Sequence, residues 1–334
     1  MFEKVFIIAE AGSNHNGKLE TAVELLKKAK EAGADAIKFQ DYTLSSLFSP
    51  PHYKKVLRLK DDNWQKNVNT LSFNPKWHTV LAEEADRHSI NYFSTPYSLE
   101  AVDMLEDFVP FYKISSGDIT FKPLLERIGQ KGKGVFISTG ASYISEIDDA
   151  LRILQGFNLP FICVMHCIML YPAPAEHLNL NFIETLKDRY SLPVGFSDHS
   201  LGIDASLIAV GKGVKAIEKH FTLDKRETGA DHHISLEPDE FSDFIDNVRE
   251  AEKMLGTSQR YISERENNER IFARRSIYSK VKLKKGERLT VDKIDFLRPN
   301  IAVGAEQIDE IINSILTDDV DAGAAIEYKN LTEK

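Results

Sequence analysis

Cysteine is scarce in this chain, with only Cys163 and Cys167 among 334 residues. Two thiols cannot form the framework that staples small secreted domains, and a reduced pair fits a cytoplasmic protein. Both fall in the apolar run Phe161-Ile162-Cys163-Val164-Met165-His166-Cys167. That run reads as a buried strand, because a closed metal site needs more Cys or His ligands nearby. Long apolar stretches are missing as well. None approaches the roughly 20 residues of a membrane span, and the run at 5–8 is far short of a signal-peptide core. The expectation is a soluble, cytoplasmic protein with no membrane partner. Positive charge is in deficit, with 42 Lys and Arg against 51 Asp and Glu and a net charge of −9. That balance argues against nucleic acid as a partner, since affinity for it comes from Lys and Arg neutralising phosphates.

What the chain does have is apolar mass. It is 42% hydrophobic, with 19 Phe and 11 Tyr, which excludes disorder and supplies a large core. Short apolar strands alternate with amphipathic helices. Strands are expected over 5–9, 34–40, 91–95, 111–115, 134–138, 161–166, 194–197 and 214–220. Helices are expected over 19–32, 75–88, 98–107, 121–130, 143–154, 182–190, 203–211 and 238–255. The Lys- and Asp-rich stretch over 42–72 reads as irregular. Eight strand–helix units in about 255 residues match an α/β (β/α)8 TIM barrel over 1–256. A doubly wound sheet is the weaker alternative, because Glu10-Ala11-Gly12-Ser13-Asn14-His15 is no dinucleotide-binding turn. The polar segment 257–275 reads as a linker. The remainder, 276–334, reads as a small separate domain with a turn at Lys285-Gly286-Glu287 and a helix near 306–314.

In such a barrel, chemistry sits at the C-terminal ends of the strands. Polar residues gather there: Glu10, Lys38, Gln40, Thr95, Tyr97, Lys113, Ser116, Ser138, Ser197, His199, Glu218 and His220. Side chains alternate with period 2 along a strand. Lys38 and Gln40 therefore share one face, as do Ser197 and His199, and Glu218 and His220, so one lumen could hold them all. A lone strand-end Lys usually snorkels to solvent. Two, Lys38 and Lys113, at equivalent places call for an anion, phosphate or carboxylate. The hydroxyls of Thr95, Ser116, Ser138 and Ser197 could bind that anion or cap the next helix, and both readings stay open. His199 and His220 end consecutive strands near Asp198 and Glu218, a plausible open divalent-metal site. For His232 and His233 the default is a solvated loop.

Beyond these readings, the strings Ile7-Ile8-Ala9-Glu10-Ala11-Gly12-Ser13-Asn14-His15-Asn16-Gly17, Ile37-Lys38-Phe39-Gln40 and Tyr112-Lys113-Ile114-Ser115-Ser116-Gly117 resemble the sialic acid synthase family. So do Ser138-Thr139-Gly140, Tyr171-Pro172-Ala173-Pro174, Gly195-Phe196-Ser197-Asp198-His199-Ser200 and Glu218-Lys219-His220-Phe221-Thr222. The tail from about Ala273 through Leu297-Arg298-Pro299 resembles that family's antifreeze-like, β-clip SAF domain. The matches run in order over nearly the whole chain.

The resemblance implies a transferase that condenses phosphoenolpyruvate with N-acetylmannosamine or a related acetamido hexose. The products would be a nonulosonic acid and phosphate, formed by C–O cleavage. Lys38, Thr95, Lys113, Ser116, Ser138 and Ser197 would hold phosphoenolpyruvate. His199 and His220 would bind Mn²⁺, with Mg²⁺ or Co²⁺ as alternatives. Glu10, Gln40, Tyr171 and Asp231 would line the sugar pocket, Tyr97 would bind substrate, and Glu10, Asp118 and Glu218 would be the catalytic carboxylates. Arg298 would reach the pocket from a partner subunit in a domain-exchanged homodimer. Two positions depart from the pattern. Asp118 stands where relatives often carry Glu, and Met169 where sialic-acid-forming relatives carry Asn. The rivals are another phosphoenolpyruvate-dependent sugar-acid synthase or metal aldolase on the same barrel, and a non-catalytic sugar-binding protein.

Overall fold

The computed structural model describes residues 2–57 and 61–332. Contacts divide the chain after Gly256 into a unit ending there and a second unit, Thr257–Lys334. In the first, eight parallel strands are β1 (Phe6–Gly12), β2 (Ala36–Asp41), β3 (Asn91–Pro96), β4 (Phe111–Ile114), β5 (Gly134–Ser138), β6 (Ile162–Cys167), β7 (Val194–Asp198) and β8 (Ala216–His220). The hydrogen-bonded ladder runs β3-β2-β1-β8-β7-β6-β5-β4, and β3 packs beside β4 where the ring closes. This is the TIM-barrel order that the alternating pattern implied.

The helices on the outside follow from buried residues at helical spacing. Helix α1 (Leu19–Glu31) buries Ala22, Leu25, Leu26 and Ala29. The segment 42–72, expected to be irregular, instead folds as α2 (Leu44–Leu47), α3 (Pro50–Leu57) and α4 (Asp61–Leu71). Thr43 starts this run through a reciprocal capping box with Ser46, a local signal that the composition of the whole segment does not carry. The outer layer continues with α5 (Trp77–His88), α6 (Leu99–Leu105), α7 (Lys122–Gln130), α8 (Ile144–Gln155), α9 (Phe182–Tyr190), α10 (Asp204–Gly211) and α11 (Pro238–Leu255). No described helix is long and apolar enough to cross a membrane.

Strand alternation sorts the lumen into two layers. Two residues below the polar strand ends, Phe93, Phe111 and Phe136 are buried and pack against one another and against Phe6. This aromatic floor closes the barrel beneath the polar mouth. Gly195, two residues below Ser197, leaves room for the Met165 side chain on the neighbouring strand. A Cβ there would lie 2.2 Å from Met165 Sδ and 2.9 Å from the Ala216 carbonyl oxygen.

The second unit begins with α12 (Glu264–Ala273), a helix inside the stretch that composition marks as a linker. It continues with the antiparallel pair β9 (Ser276–Ser279) and β10 (Ile294–Leu297). Its own core includes Ile277, Leu283, Leu289, Ile294, Val303 and Leu316. Gly286 takes φ +86° at the expected turn, a left-handed geometry that glycine adopts without Cβ strain. The helix anticipated near 306–314 is shorter, a 3-10 turn leading into α13 (Ile308–Ile311).

The barrel floor makes a first prediction. Gly195→Ala has no space to enter without moving Met165 or β8, so it should destabilise the chain by about 1–3 kcal/mol, the usual cost of overpacking. Urea unfolding measures this, and a midpoint equal to that of the parent would contradict the close approach.

Candidate active site

Above the aromatic floor, the C-terminal strand ends enclose a cavity of about 420 Å³, within the range of small-molecule sites. Its walls include Glu10, Lys38, Gln40, Thr95, Tyr97, Lys113, Ser116, Asp118, Ser138, Tyr171, Ser197, His199, Glu218 and His220. Period-2 alternation thus brings residues from all eight strands, or the loops just after them, into one space. Asp231, in the loop after β8, approaches this group, its Oδ2 lying 3.9 Å from His220 Nδ1. Arg298 lies in the second unit, directly after β10.

Four alternating charges organise the cavity. Glu10 Oε2 lies 2.5 Å from Lys38 Nζ, which lies 3.8 Å from Glu218 Oε2. Glu218 in turn accepts from Lys113 Nζ at 2.8 and 2.7 Å. All four side chains are buried. The lysines therefore carry internal counter-charges, and their presence alone does not demand a bound anion as the sequence pattern suggested. An entering anion would compete with Glu10 and Glu218 for them.

These neighbours divide the two glutamates electrostatically. Burial pushes the Glu10 carboxyl above the usual carboxylate range despite Lys38, and the charge of Glu218 adds to the rise. Burial acts upward on Glu218 too, but Lys113 and Lys38 outweigh it and bring its carboxyl down to about 2. Burial also lowers the Lys113 ammonium and raises the Asp118 carboxyl, whose Oδ2 accepts from Ser115 Oγ at 2.6 Å.

The hydroxyls have distinct tasks. Thr95 Oγ1 accepts from Lys38 Nζ at 3.0 Å, and Ser197 Oγ donates to Glu218 Oε1 at 3.1 Å. Ser116 Oγ accepts from the Gly140 backbone N–H at 2.9 Å, so it braces the next loop rather than its own helix. Ser138 Oγ is buried with no protein partner, free to meet a ligand.

His199 and His220 face the same cavity with ring centroids 5.3 Å apart. The Nδ1–H of His199 donates to the Ile168 carbonyl at 2.8 Å, a bond of the kind that directs the Nε2 lone pair of a metal-binding histidine. His220 Nδ1 is buried without a hydrogen-bond partner. Burial, then the neighbouring His199, holds its imidazole well below the usual range, hence neutral and able to donate a lone pair. No group of three or more His, Cys, Asp or Glu side chains among the described residues forms a complete metal cage. The donor set fits an open site with two protein ligands and remaining positions left to water or substrate oxygens.

Several wall residues escaped the sequence reading. Tyr42, Leu47 and Phe48 come from the segment taken as irregular, and Cys167, read as core, lines the cavity with its Sγ 3.8 Å from His199 Nδ1. The alternation that flags Ser138 also turns Cys167 inward. His232 is not a solvated loop residue: it is buried, and its Nδ1 pairs with Thr222 Oγ1 at 2.7 Å. His233 is exposed.

The NeuB family matches residues 25–260, and the SAF domain matches residues 274–332. The chain belongs to the NeuB family. Among relatives of this NeuB-family chain, an uncharacterised protein of Methanocaldococcus jannaschii is 42% identical, covering 98% of this chain and 95% of its own. N,N'-diacetyllegionaminic acid synthase of Campylobacter jejuni is 37% identical over 94% of this chain and 96% of its own. A crystal structure of N-acetylneuraminic acid synthetase from Leptospira borgpetersenii, in complex with citrate, matches with a TM-score of 0.71. It is 35% identical, covering 80% of this chain and 90% of that one. Relatives also include pseudaminic acid synthase of Campylobacter jejuni, 34% identical over 97% of this chain and 96% of its own, so legionaminic, pseudaminic and sialic acid synthases are among them. They are enzymes of sugar-acid synthesis.

The paired charges of the NeuB-family site make the second prediction. Glu218→Gln removes the counter-charge of Lys113 inside the barrel and should cost about 3–5 kcal/mol at neutral pH, as breaking buried pairs does. A depressed carboxyl contributes its stability above the unfolded value of 4.5 and loses it as pH falls toward about 2,. Glu10, raised instead, loses stability as pH rises above the ordinary range,. The gap between parent and Glu218→Gln in denaturant midpoint should therefore narrow from pH 4.5 downward. A gap that widens on acidification contradicts the assignment.

Proposed function

We propose that this chain condenses phosphoenolpyruvate with N-acetylmannosamine or a related acetamido hexose to give a nonulosonic acid and inorganic phosphate. The observation that carries this reading is the convergence in one cavity of two buried lysines, an unpartnered serine hydroxyl and two imidazoles. Anion-binding and oxygen-activating groups thus share one space. Family membership and the names of the relatives support it.

In the proposed reaction, C3 of phosphoenolpyruvate bonds to the aldehyde carbon of the open-chain sugar. Water adds at C2, and the C2–O bond to phosphate then breaks as the new C2 hydroxyl gives its proton to the departing phosphate and becomes the C2 ketone. Lys38 and Lys113, with Thr95, Ser116, Ser138 and Ser197, hold the phosphate and carboxylate of phosphoenolpyruvate. Gln40, Tyr97, Tyr171 and Asp231 orient the sugar. Glu10, whose carboxyl burial raises above the usual range, relays a proton to the aldehyde oxygen as it becomes a hydroxyl. Asp118 takes a proton from the attacking water. Glu218 stays ionised between the two lysines and fixes their spacing. His199 and His220 would hold a divalent ion, Mn²⁺ first and Mg²⁺ or Co²⁺ as alternatives. Such an ion supplies Lewis-acid polarisation of a carbonyl, worth several kcal/mol.

The test incubates the enzyme with Mn²⁺, a panel of N-acetylmannosamine and diacetamido hexoses, and phosphoenolpyruvate labelled with ¹⁸O in the bridging position. Mass spectrometry should find a nine-carbon acid, with the label leaving in phosphate. Label kept in the sugar acid means P–O cleavage and overturns the mechanism. Absence of phosphate release with every sugar overturns the activity.

We also propose that two copies exchange tails, so that Arg298 of one completes the sugar pocket of the other with a planar, multiply donating cation. Co-expressing His220→Ala with Arg298→Ala then makes hybrids with one intact site. Random mixing should restore about a quarter of wild-type activity under a two-fold exchanged interface. Confirmed hybrids without recovery, from folded and inactive parents, would place each site within a single chain.

A further inference from the structure

Behind the two imidazoles lies another pair of charges that never meets the cavity. Asp198 and Lys219 each stand one residue before His199 and His220, on the outward face of their strands. They sit opposite each other in the β7–β8 register. Lys219 Nζ lies 3.0 Å from Asp198 Oδ2, and both side chains are fully buried. The same ammonium donates to the Ser200 carbonyl at 2.6 Å. Asp198 Oδ1 accepts from the Ser200 N–H at 2.8 Å and from Ser200 Oγ at 2.6 Å. Its Oδ2 also accepts from Ser206 Oγ of α10 at 2.6 Å.

Stability alone does not account for this arrangement. A buried ion pair seldom outperforms well-packed apolar residues of similar volume, because desolvation offsets the attraction. Its geometric consequence is specific. Ser200 is held at its N–H by Asp198 and at its carbonyl by Lys219, so the backbone on both sides of His199 is tied to the residue that precedes His220. Sliding of one histidine against the other would break both bonds of the Lys219 ammonium, to Asp198 and to the Ser200 carbonyl, in a dry environment where such bonds are strong. We infer that Asp198 and Lys219 form a positioning pair that sets the two imidazoles against each other and thereby their affinity for a divalent cation. The inference rests on the two-histidine metal reading above.

The experiment titrates Mn²⁺ into full-length protein and follows free Mn²⁺ by electron paramagnetic resonance. Phosphoenolpyruvate affinity without metal and the thermal midpoint are measured beside it. The double variant Asp198→Asn with Lys219→Met removes both charges while keeping similar side-chain volumes. It should bind Mn²⁺ about 10–100-fold more weakly, the usual effect of losing outer-shell support. Its phosphoenolpyruvate affinity should be unchanged and its thermal midpoint close to that of the parent. Ser206→Ala, which deletes one bond to Asp198 and no charge, should weaken Mn²⁺ binding in the same direction by a smaller factor. It decides the matter if the double variant does not fold.

Parental Mn²⁺ affinity in the folded double variant overturns the inference, as does parental affinity in Ser206→Ala where that variant decides. Parallel losses of Mn²⁺ binding, phosphoenolpyruvate binding and thermal stability also overturn it, because they mark a general packing role. His220→Ala separates the two levels. If the parent binds no Mn²⁺, or His220→Ala binds it as well as the parent, the metal reading falls and the inference falls with it. If binding is lost in His220→Ala yet kept in the double variant, only the positioning role falls.

Discussion

A row of four buried charges, Glu10, Lys38, Glu218 and Lys113, governs the upper half of the barrel. Each charge alone would be costly to bury, and the row is tolerable because each lysine lies between or beside carboxylates,. That condition demands a rigid frame. Glu10 and Lys38 are register partners on β1 and β2, while Glu218 and Lys113 meet across the lumen from β8 and β4. A one-residue slip of any of these strands would turn its charge toward the helices. The register of the barrel and the electrostatics of the site are therefore one constraint.

The aromatic floor serves the same constraint from below. Phe6, Phe93, Phe111 and Phe136 fill the lumen under the charges, leaving them little solvation from that side. Low local polarity strengthens the ion pairs and also moves the carboxyls apart. Glu218 accepts from both Lys113 and Ser197 and is held ionised, whereas Glu10 has Lys38 and Gln40 and is raised. Two glutamates of identical chemistry thus acquire different protonation tendencies from their neighbours, the usual route by which one site holds both an acid and a base.

The legibility of this site in the sequence follows strand geometry. Lys38 with Gln40, Ser197 with His199, and Glu218 with His220 were readable because period-2 alternation in short apolar strands leaves one choice of face. Loops obey no such period. Leu47 and Phe48 went unseen because they lie at the end of a four-residue helix, too short to show an apolar stripe. His232 went unseen because its burial depends on Thr222, a contact made by a loop folding back. The pairing of the lysines with Glu10 and Glu218 was also invisible. Alternation tells which face a side chain takes, not which neighbour it reaches across a barrel.

Alternation has a further consequence at β7 and β8. A strand that sends one residue into the lumen must send the next toward the helices, so every functional side chain has an outward neighbour. At most positions that neighbour is plainly apolar, as Ile37 and Phe39 are beside Lys38. Asp41 beside Gln40 departs from this, buried 3.0 Å from His78 Nε2, and so do Asp198 and Lys219. The latter two are charged, fully buried and bonded to each other on the two strands that carry the imidazoles. An apolar outward residue packs but tolerates small rotations, because dispersion contacts are many, weak and non-directional. A charged pair satisfied by Ser200 and Ser206 does not, since its hydrogen bonds are directional and their loss in a dry interior is expensive. Lys38 and Lys113 inside the lumen are point charges on flexible stems, whose reach adjusts to a neighbour. Imidazole rings on short stems adjust less, and the directional restraint is found on the two strands that carry them.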